Sequence, residues 1–307
     1  MELPASHARA STPLARPAVD VVIPFVGSVD ALRELIDRLE CVELGDADTI
    51  TVADNRRPGA AAVVPAGGGV RVVRAPKLRS SYHARNVGAR AGGAPWLLFV
   101  DADVEWSAEL LDAYFDPPPA ESTAVVAGPI DDAPLATGQR ATLAERYSVL
   151  RRTMAATNTL NATERPPYAQ TANCLIRRSA FEAVGGFPDD IRQGGDAEIC
   201  WQLLAAGWKL EPHPYAGVVH RNRTTLTALF AQKARHGSGA AWLERRHRGT
   251  FPRRRLSGLS LWSARETLRA LRGSRTGRDE PAAAIVHVGA VWAFELGRLI
   301  PNRAPPR

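Results

Sequence analysis

The sequence holds three cysteines, Cys41, Cys174 and Cys200, and no pair of them stands at CxxC spacing. That argues against a disulfide framework and a structural zinc site, and it suits a reducing compartment. No basic, apolar and small-residue succession opens the chain, so no signal peptide is expected. Residues 1–17 carry Pro4, Pro13 and Pro17 among Ala, Ser and Arg and read as a loose tail. Internal repeats are absent, which excludes solenoids and repeat arrays. Recognition motifs for nucleic acid and basic stretches interleaved with aromatics are absent too, so no nucleic-acid partner is expected. The apolar stretch Ala282–Ile300 is interrupted by His287, Glu295 and Arg298. At helical spacing these three fall within about 80° of one another, a narrow polar stripe. Two charges make a bilayer span a poor reading; an interfacial helix or one packed on the core fits better. The expected location is cytoplasmic, with a peripheral contact at the inner face of the plasma membrane as an open alternative.

What is present suits a folded protein. The chain has 307 residues, enough for one large domain or two ordinary ones, with 45% apolar and 23% charged residues. The net charge of +7 is unevenly spread. From Arg245 to Arg307 there are fourteen Arg against four acidic residues, so that stretch carries +10 and the remainder −3. Such a segment can attract an anionic lipid surface or an acidic partner, or be a solvated Arg-rich tail.

Along the chain, apolar runs alternate with helical periodicity. VDVVIPF (Val19–Phe25) reads as a buried strand ending near Pro24, and Leu32, Leu35, Ile36 and Leu39 mark a helix after it. TITVA (Thr49–Ala53) is a second strand, ending at Asp54 and Asn55, and Val70–Val73 a short third. Ser81–Ala91 reads as a helix, and Trp96–Val100 as a strand. Later come a strand at Ala124–Gly128, a helix at Ala141–Ala155, a strand at Asn173–Ile176, a helix at Asp196–Ala206 closed by Gly207, and a strand end at Gly217–His220. This order predicts an α/β fold with a mostly parallel central sheet flanked by helices. Three parts are expected: the tail to residue 17, the α/β domain over 18–235, and a basic helical extension over 236–307.

Chemistry-bearing residues fall at the ends of these elements. Asp101 and Asp103 stand one residue apart where the fourth strand leaves the sheet, the edge at which open α/β sheets bind ligands. Paired carboxylates there suit a hard divalent cation, or else form a solvated turn. Asp54 ends the second strand, Arg85 and Asn86 lie in the helix that follows the third, and His220 ends the last strand. Gly194-Gly195-Asp196-Ala197-Glu198 opens a helix.

The motifs VDVVIPF, TVADN, SSYHARNVGARAGGAPWLLFVDADV, TANCLIRRSAFEAVGGF, GGDAEICWQLLAAGW and VVH, in this order, resemble the family-2 glycosyltransferases of the GT-A fold over roughly residues 18–235. The resemblance implies metal-dependent transfer of a sugar from a nucleotide sugar to an acceptor hydroxyl, with inversion at the anomeric carbon. It implies Mn²⁺ or Mg²⁺ as cofactor and favours a uridine-diphosphate sugar as donor. Asp54 would accept a hydrogen bond from the donor's base, with Pro24 and Phe25 beside the nucleoside; each is also explained as a turn or strand-end residue. Arg85 would face the base or diphosphate, or be a surface arginine. Asp103 is the first candidate metal ligand, Asp101 its neighbour at ribose or metal, and His220 a further ligand. Asp196 is the candidate general base, with an N-cap role as the alternative and Glu198 as the substitute.

Two positions depart from the family pattern. Gly195 stands where a Glu is usual, although a Gly-Gly-Asp-x-Glu subgroup exists, and Gln202 stands where an Arg is common. Arg221 or Arg223 could compensate. Trp201 could stack on a sugar or lie in the core. The departures leave room for an inactive relative that binds a nucleotide sugar. A sugar-phosphate nucleotidylyltransferase ranks lower, because Pro24-Phe25-Val26-Gly27-Ser28 is not a Gly-rich basic loop. Residues 235–249 look like a segment that follows the catalytic core in bacterial relatives, including mycofactocin-type enzymes. Residues 131–171 are the expected lid and acceptor wall.

Overall fold

The computed structural model describes residues 16–40, 42, 44–63, 69–135, 141–273 and 281–307. Cys41 and residues 1–15 of the expected tail lie outside them. The first half of the chain alternates as expected: β1 (Val19–Phe25), α1 (Val29–Glu40), β2 (Thr49–Asp54), β3 (Val70–Arg74), α2 (Ser81–Ala89) and β4 (Trp96–Val100). There follow β5 (Val104–Trp106), α3 (Leu110–Ala113), β6 (Thr123–Ala127), β7 (Ile130–Asp132), α4 (Leu143–Arg151) and α5 (Thr157–Leu160). Then come β8 (Asn173–Arg177), α6 (Arg178–Ala183), α7 (Gly195–Ala205), β9 (Lys209–Pro212) and β10 (Val218–His220). Three helices close the chain: α8 (Leu226–Arg246), α9 (Leu256–Gly273) and α10 (Pro281–Gly297).

Among the described residues, seven strands form the central sheet in the order β3-β2-β1-β4-β8-β6-β9. Only β8 runs against the rest, antiparallel to both β4 and β6, so the sheet is mostly parallel. Alternate residues of β1 and β4 face opposite layers. Val21, Ile23, Leu98 and Val100 pack with the α1 side, and Val22, Leu97 and Phe99 with the side of α6 and α7. Burial on both faces is why these strands read as unbroken apolar runs. Pro24 lies beyond the last β1–β4 pair, Val22 opposite Phe99, so its missing N–H breaks no ladder bond on that side.

A second sheet, β5-β10-β7, was not expected from the sequence. Its strands are three residues long, too short for a readable period. It matters for the site, because the β10–β5 register sets His220 opposite Val104, one residue past Asp103. The division expected between 235 and 236 falls inside α8.

Candidate active site

The carboxyl ends of β1, β2 and β4 open onto one edge, and the two aspartates after β4 part company there. Asp101 turns to Arg85, whose Nη2 donates to its Oδ1 at 2.5 Å. Arg85 is buried in α2, and its Nε has no hydrogen-bond partner. Asp103 instead faces the second sheet: its Oδ1 lies 3.5 Å from His220 Nε2 and its Oδ2 3.3 Å from Arg223 Nη2. Among the described residues no three His, Cys, Asp or Glu side chains converge as a metal cage. Arg85 holds one oxygen of Asp101, which leaves Asp103 and His220 as the candidate ligands that face each other. The remaining pair still fits a small divalent cation, since such ions are bound by one or two protein groups at about 2.1 Å and completed by water and substrate phosphate. Imidazole and carboxylate together suit manganese.

Asp196 sits one turn inside the site, and the chain around it explains the departures noted above. The N-cap of α7 is Gly194, at φ +94°, and no side chain caps the helix. Asp196 is thus not the cap; its carboxylate accepts from Tyr82 Oη at 2.7 Å and from the Thr171 backbone N–H at 3.2 Å. A Cβ on Gly195 would stand 2.7 Å from the Tyr82 ring. The Glu usual at this position has no room, because the tyrosine occupies its space. Burial, and then the nearby Asp196 charge, push the Tyr82 phenol well above its ordinary range, so it stays a proton donor to the carboxylate. The Arg85 guanidinium lies 5.5 Å from the Tyr82 ring centre, a cation–π approach. Asp101, Arg85, Tyr82 and Asp196 thereby form one chain from the edge after β4 to the candidate base.

Glu198 has another occupation. It is buried and accepts from Arg246 Nε and Nη2 at 3.1 and 3.0 Å and from Gln202 Nε2 at 2.9 Å, with His247 Nε2 at 2.8 Å. Burial raises its carboxyl, but the His247 and Arg246 hydrogen bonds outweigh that and hold it below its ordinary range. Arg246, from the end of α8, supplies the cation that Gln202 does not. Arg221 is spent on Glu105 at 2.6 Å. Trp201 is buried, with Nε1 donating to Pro166 O at 3.0 Å; it is a core residue.

At the β2 end, Asp54 is fully buried and its acceptor sites are taken. Oδ1 accepts from Arg56 N and Nε, each at 2.9 Å, and Oδ2 from Arg56 Nη2 at 2.8 Å and from Arg74 Nη1. Burial raises this carboxyl, and the Arg56 and Arg74 bonds more than reverse it, leaving it lowered. Four donors fill a carboxylate's four lone-pair sites, so a nucleobase reaches Asp54 only if an arginine yields. Phe25 is buried under Gly27, while Pro24 remains half-buried at the edge.

The C-terminal segment returns to this edge. Asn302, buried, accepts from Gln193 N at 3.1 Å and donates to Gln193 O at 2.8 Å, on the loop before α7. Arg192 N donates to Asn302 O and Arg79 N to Pro305 O, both at 2.9 Å, and Arg307 Nη2 reaches Asn55 Oδ1 at 3.2 Å. Sequence reasoning missed this strap, Tyr82, and the Arg56–Arg74 clamp. Tyr82 alone had a usable signal: it precedes Arg85 by three residues in a helix, so the two share a face.

Comparison with known proteins follows the same lines. A family model described as glycosyl transferase family group 2 matches residues 96–296. The pre-mycofactocin glycosyltransferase of Mycobacterium tuberculosis is 30% identical over 243 residues, 75% of this chain and 48% of the relative. The succinoglycan biosynthesis protein ExoA of Rhizobium meliloti is 33% identical over 76 residues, 25% of this chain and 23% of the relative. The chain thus spans about half the length of the first of these relatives. Among solved structures, a mannosyltransferase from Pyrobaculum calidifontis in complex with GDP-Man and Mn²⁺ superposes with a TM-score of 0.53 at 17% identity, covering 96% of this chain and 76% of that one. The fold is that of the GT-A glycosyltransferases.

Proposed function

Because the chain belongs to glycosyl transferase family group 2, we propose that it is an inverting glycosyltransferase that moves a sugar from a nucleotide sugar to an acceptor hydroxyl. The observation that carries this reading is the chain Asp101–Arg85–Tyr82–Asp196, which ties a phosphate-facing edge to a buried-side carboxylate. Asp196 takes the proton of the acceptor hydroxyl as that oxygen attacks the anomeric carbon. The bond from that carbon to the diphosphate oxygen breaks on the opposite face, so configuration inverts. Tyr82 and the Thr171 N–H fix the two oxygens of Asp196 and so aim the base.

Asp103 and His220 are the proposed holders of a manganese or magnesium ion, whose chemistry when bound is Lewis-acid neutralisation of the diphosphate. The GDP-Man and Mn²⁺ of the Pyrobaculum structure are in keeping with that assignment. Arg85, with its unpartnered Nε, faces the donor's phosphates. Pro24, Arg56 and Arg74 border the nucleoside, Asp54 acting by holding the two arginines; a uridine-diphosphate donor is our first choice. The departures at Gly195 and Gln202 are compensated by Tyr82 and Arg246, which favours an active enzyme over an inactive binder. The groove of about 350 Å³ lined by Asp131, Asp132, Val149, Arg152 and Ala155 is the proposed acceptor side. An anionic membrane surface is the proposed partner of α9.

The test is release of nucleoside diphosphate from nucleotide sugars with and without metal. Release should need manganese or magnesium, and Asp103→Ala should abolish it. Asp196→Asn should abolish transfer while sparing donor binding, read by calorimetry. Full activity in chelator overturns the metal assignment, and wild-type transfer by Asp196→Asn overturns the base.

A further inference from the structure

Three arginines along the C-terminal segment have no acidic partner among the described residues: Arg79 before α2, Arg192 before α7, and Arg235 in α8. One segment gathers them. Arg79 N and Arg192 N donate to Pro305 O and Asn302 O, each at 2.9 Å. Ser238 Oγ lies 2.9 Å from Arg235 O and 3.3 Å from Asn302 Oδ1. Burial first, and then the charges of Arg223, Arg192 and Arg79, lower the proton affinity of Arg235. Next to it in α8, the His236 imidazole is pushed down to about 3 by burial first, then by Lys233, Arg235 and Arg223, and so stays neutral. Guanidinium groups keep their charge in such surroundings. The fold has therefore concentrated positive charge here at a cost in repulsion.

The donor does not account for this charge. Arg85, which reaches Asp101 through Nη2, is already assigned to the donor's phosphates through its Nε, and Arg223 answers Asp103. On the proposed reaction, on which this inference rests, a divalent cation answers the diphosphate. Arg79, Arg192 and Arg235 are left over. A carboxylate brings a single charge, whereas a phosphate monoester brings about −1.5 to −2 and three acceptor oxygens for arginine forks. We propose that Arg79, Arg192 and Arg235 form a second anion subsite, separate from that of the donor diphosphate, which holds a phosphate monoester carried by the acceptor.

The experiment titrates inorganic phosphate into the full chain by calorimetry, alone and with saturating uridine diphosphate and magnesium. Phosphate should bind in both conditions with affinities within threefold, and acetate should bind at least tenfold more weakly. Arg192→Ala with Arg235→Gln should weaken phosphate at least tenfold. Arg79→Ala, at an exposed position, should weaken it at least threefold, and its thermal melt should match the wild type, so that loss of fold is not the cause. Displacement of phosphate by the nucleotide would assign the arginines to the donor and overturn the proposal. Unchanged affinity in the variants, or acetate binding as tightly as phosphate, would overturn it too. Failure of the nucleotide to bind would instead count against the donor reading, and the variants would still decide the subsite.

Discussion

Tyr82 meets Asp196 and Arg85 at once, and Glu198 lies two residues beyond Asp196 in a different role; the two side chains lead to separable predictions. Removing the Tyr82 hydroxyl leaves the ring that fills the space beside Gly195 but frees one oxygen of the base. A hydrogen bond to a charged group contributes about 1.5–3 kcal/mol. Where part of it is expressed only in the transition state, kcat falls and KM does not. Tyr82→Phe should lower kcat about tenfold, with donor KM within about twofold; steady-state kinetics with varied donor check this. Glu198 should affect stability instead. Its carboxyl is held below the ordinary 4.5 in the folded protein, so the stabilisation it gives is present above that pH and is lost as pH falls through the lowered folded value. Glu198→Gln should cost about 1–3 kcal/mol near neutral pH, and the difference from wild type should shrink below about pH 4.5. Urea midpoints across pH measure it. The sequence placed Asp196, Asp103 and His220 at element ends because motif and spacing are local. It could not reveal that Asp101 is captured by Arg85 or Asp54 by two arginines, since those pairings depend on which neighbours the fold supplies.

The stretch through α10 turns part of its expected polar stripe inward: Arg298 is buried, while Leu296, Leu299 and Ile300 are exposed. Elements with clear periodicity were legible to within a few residues: α1 and α7 bury the faces their spacing implied, and β1 and β4 their continuous runs. The reversal of β8 was not, because a short apolar run carries no direction. Nor was the continuity of α8 through Gly237 and Gly239. Glycines inside a helix read as an ending, but a Cβ on Gly237 would stand 1.9 Å from Phe294 O of α10. The residue is there for close approach between helices. On α9 the helix buries Leu259 and Ala270 and leaves Leu261, Leu268 and Leu271 exposed between Arg265, Arg269 and Arg272. No described helix is long and apolar enough to cross a membrane, and apolar residues interleaved with arginine suit an anionic surface instead. Each arginine near such a surface contributes about 1 kcal/mol, and this part is screened by salt. The chain should float with vesicles containing a third phosphatidylserine at low salt. Leu261→Glu with Leu268→Glu should abolish flotation while nucleoside diphosphate release from the donor in solution stays unchanged. Equal flotation by the variant would remove α9 as the contact.

At the scale of the molecule, the three closing helices are joined to the catalytic edge by a few residues near Asn302. α10 packs along α8, and the chain then leaves α10 to run past the loop before α7 and the turn before α2. Isolated bridges pair Ile191 with Arg303 and Leu78 with Pro306, and Ala304 N donates to Asp190 O at 2.6 Å. Nothing in the local sequence foretold this, because the contacts span more than a hundred residues and are made largely through backbone atoms. Asn302 is the hinge of the arrangement: both ends of its amide serve Gln193, three residues before Asp196. Asn302→Ala leaves the half-buried Gln193 N–H and C=O without these partners, at about 0.5–1.5 kcal/mol each. A simple loss of stability would lower the unfolding midpoint and leave the remaining folded enzyme normal. A strap that holds the loop of the base predicts more: amide exchange of residues 190–195 should speed up at least tenfold, while that of β1 and β4 stays at its wild-type rate under native conditions. Turnover per folded molecule should fall with it, and donor binding should persist. Exchange that rises uniformly across the sheet would reduce Asn302 to an ordinary core contact. Exchange confined to 190–195 would make the helical extension part of the machinery that positions Asp196.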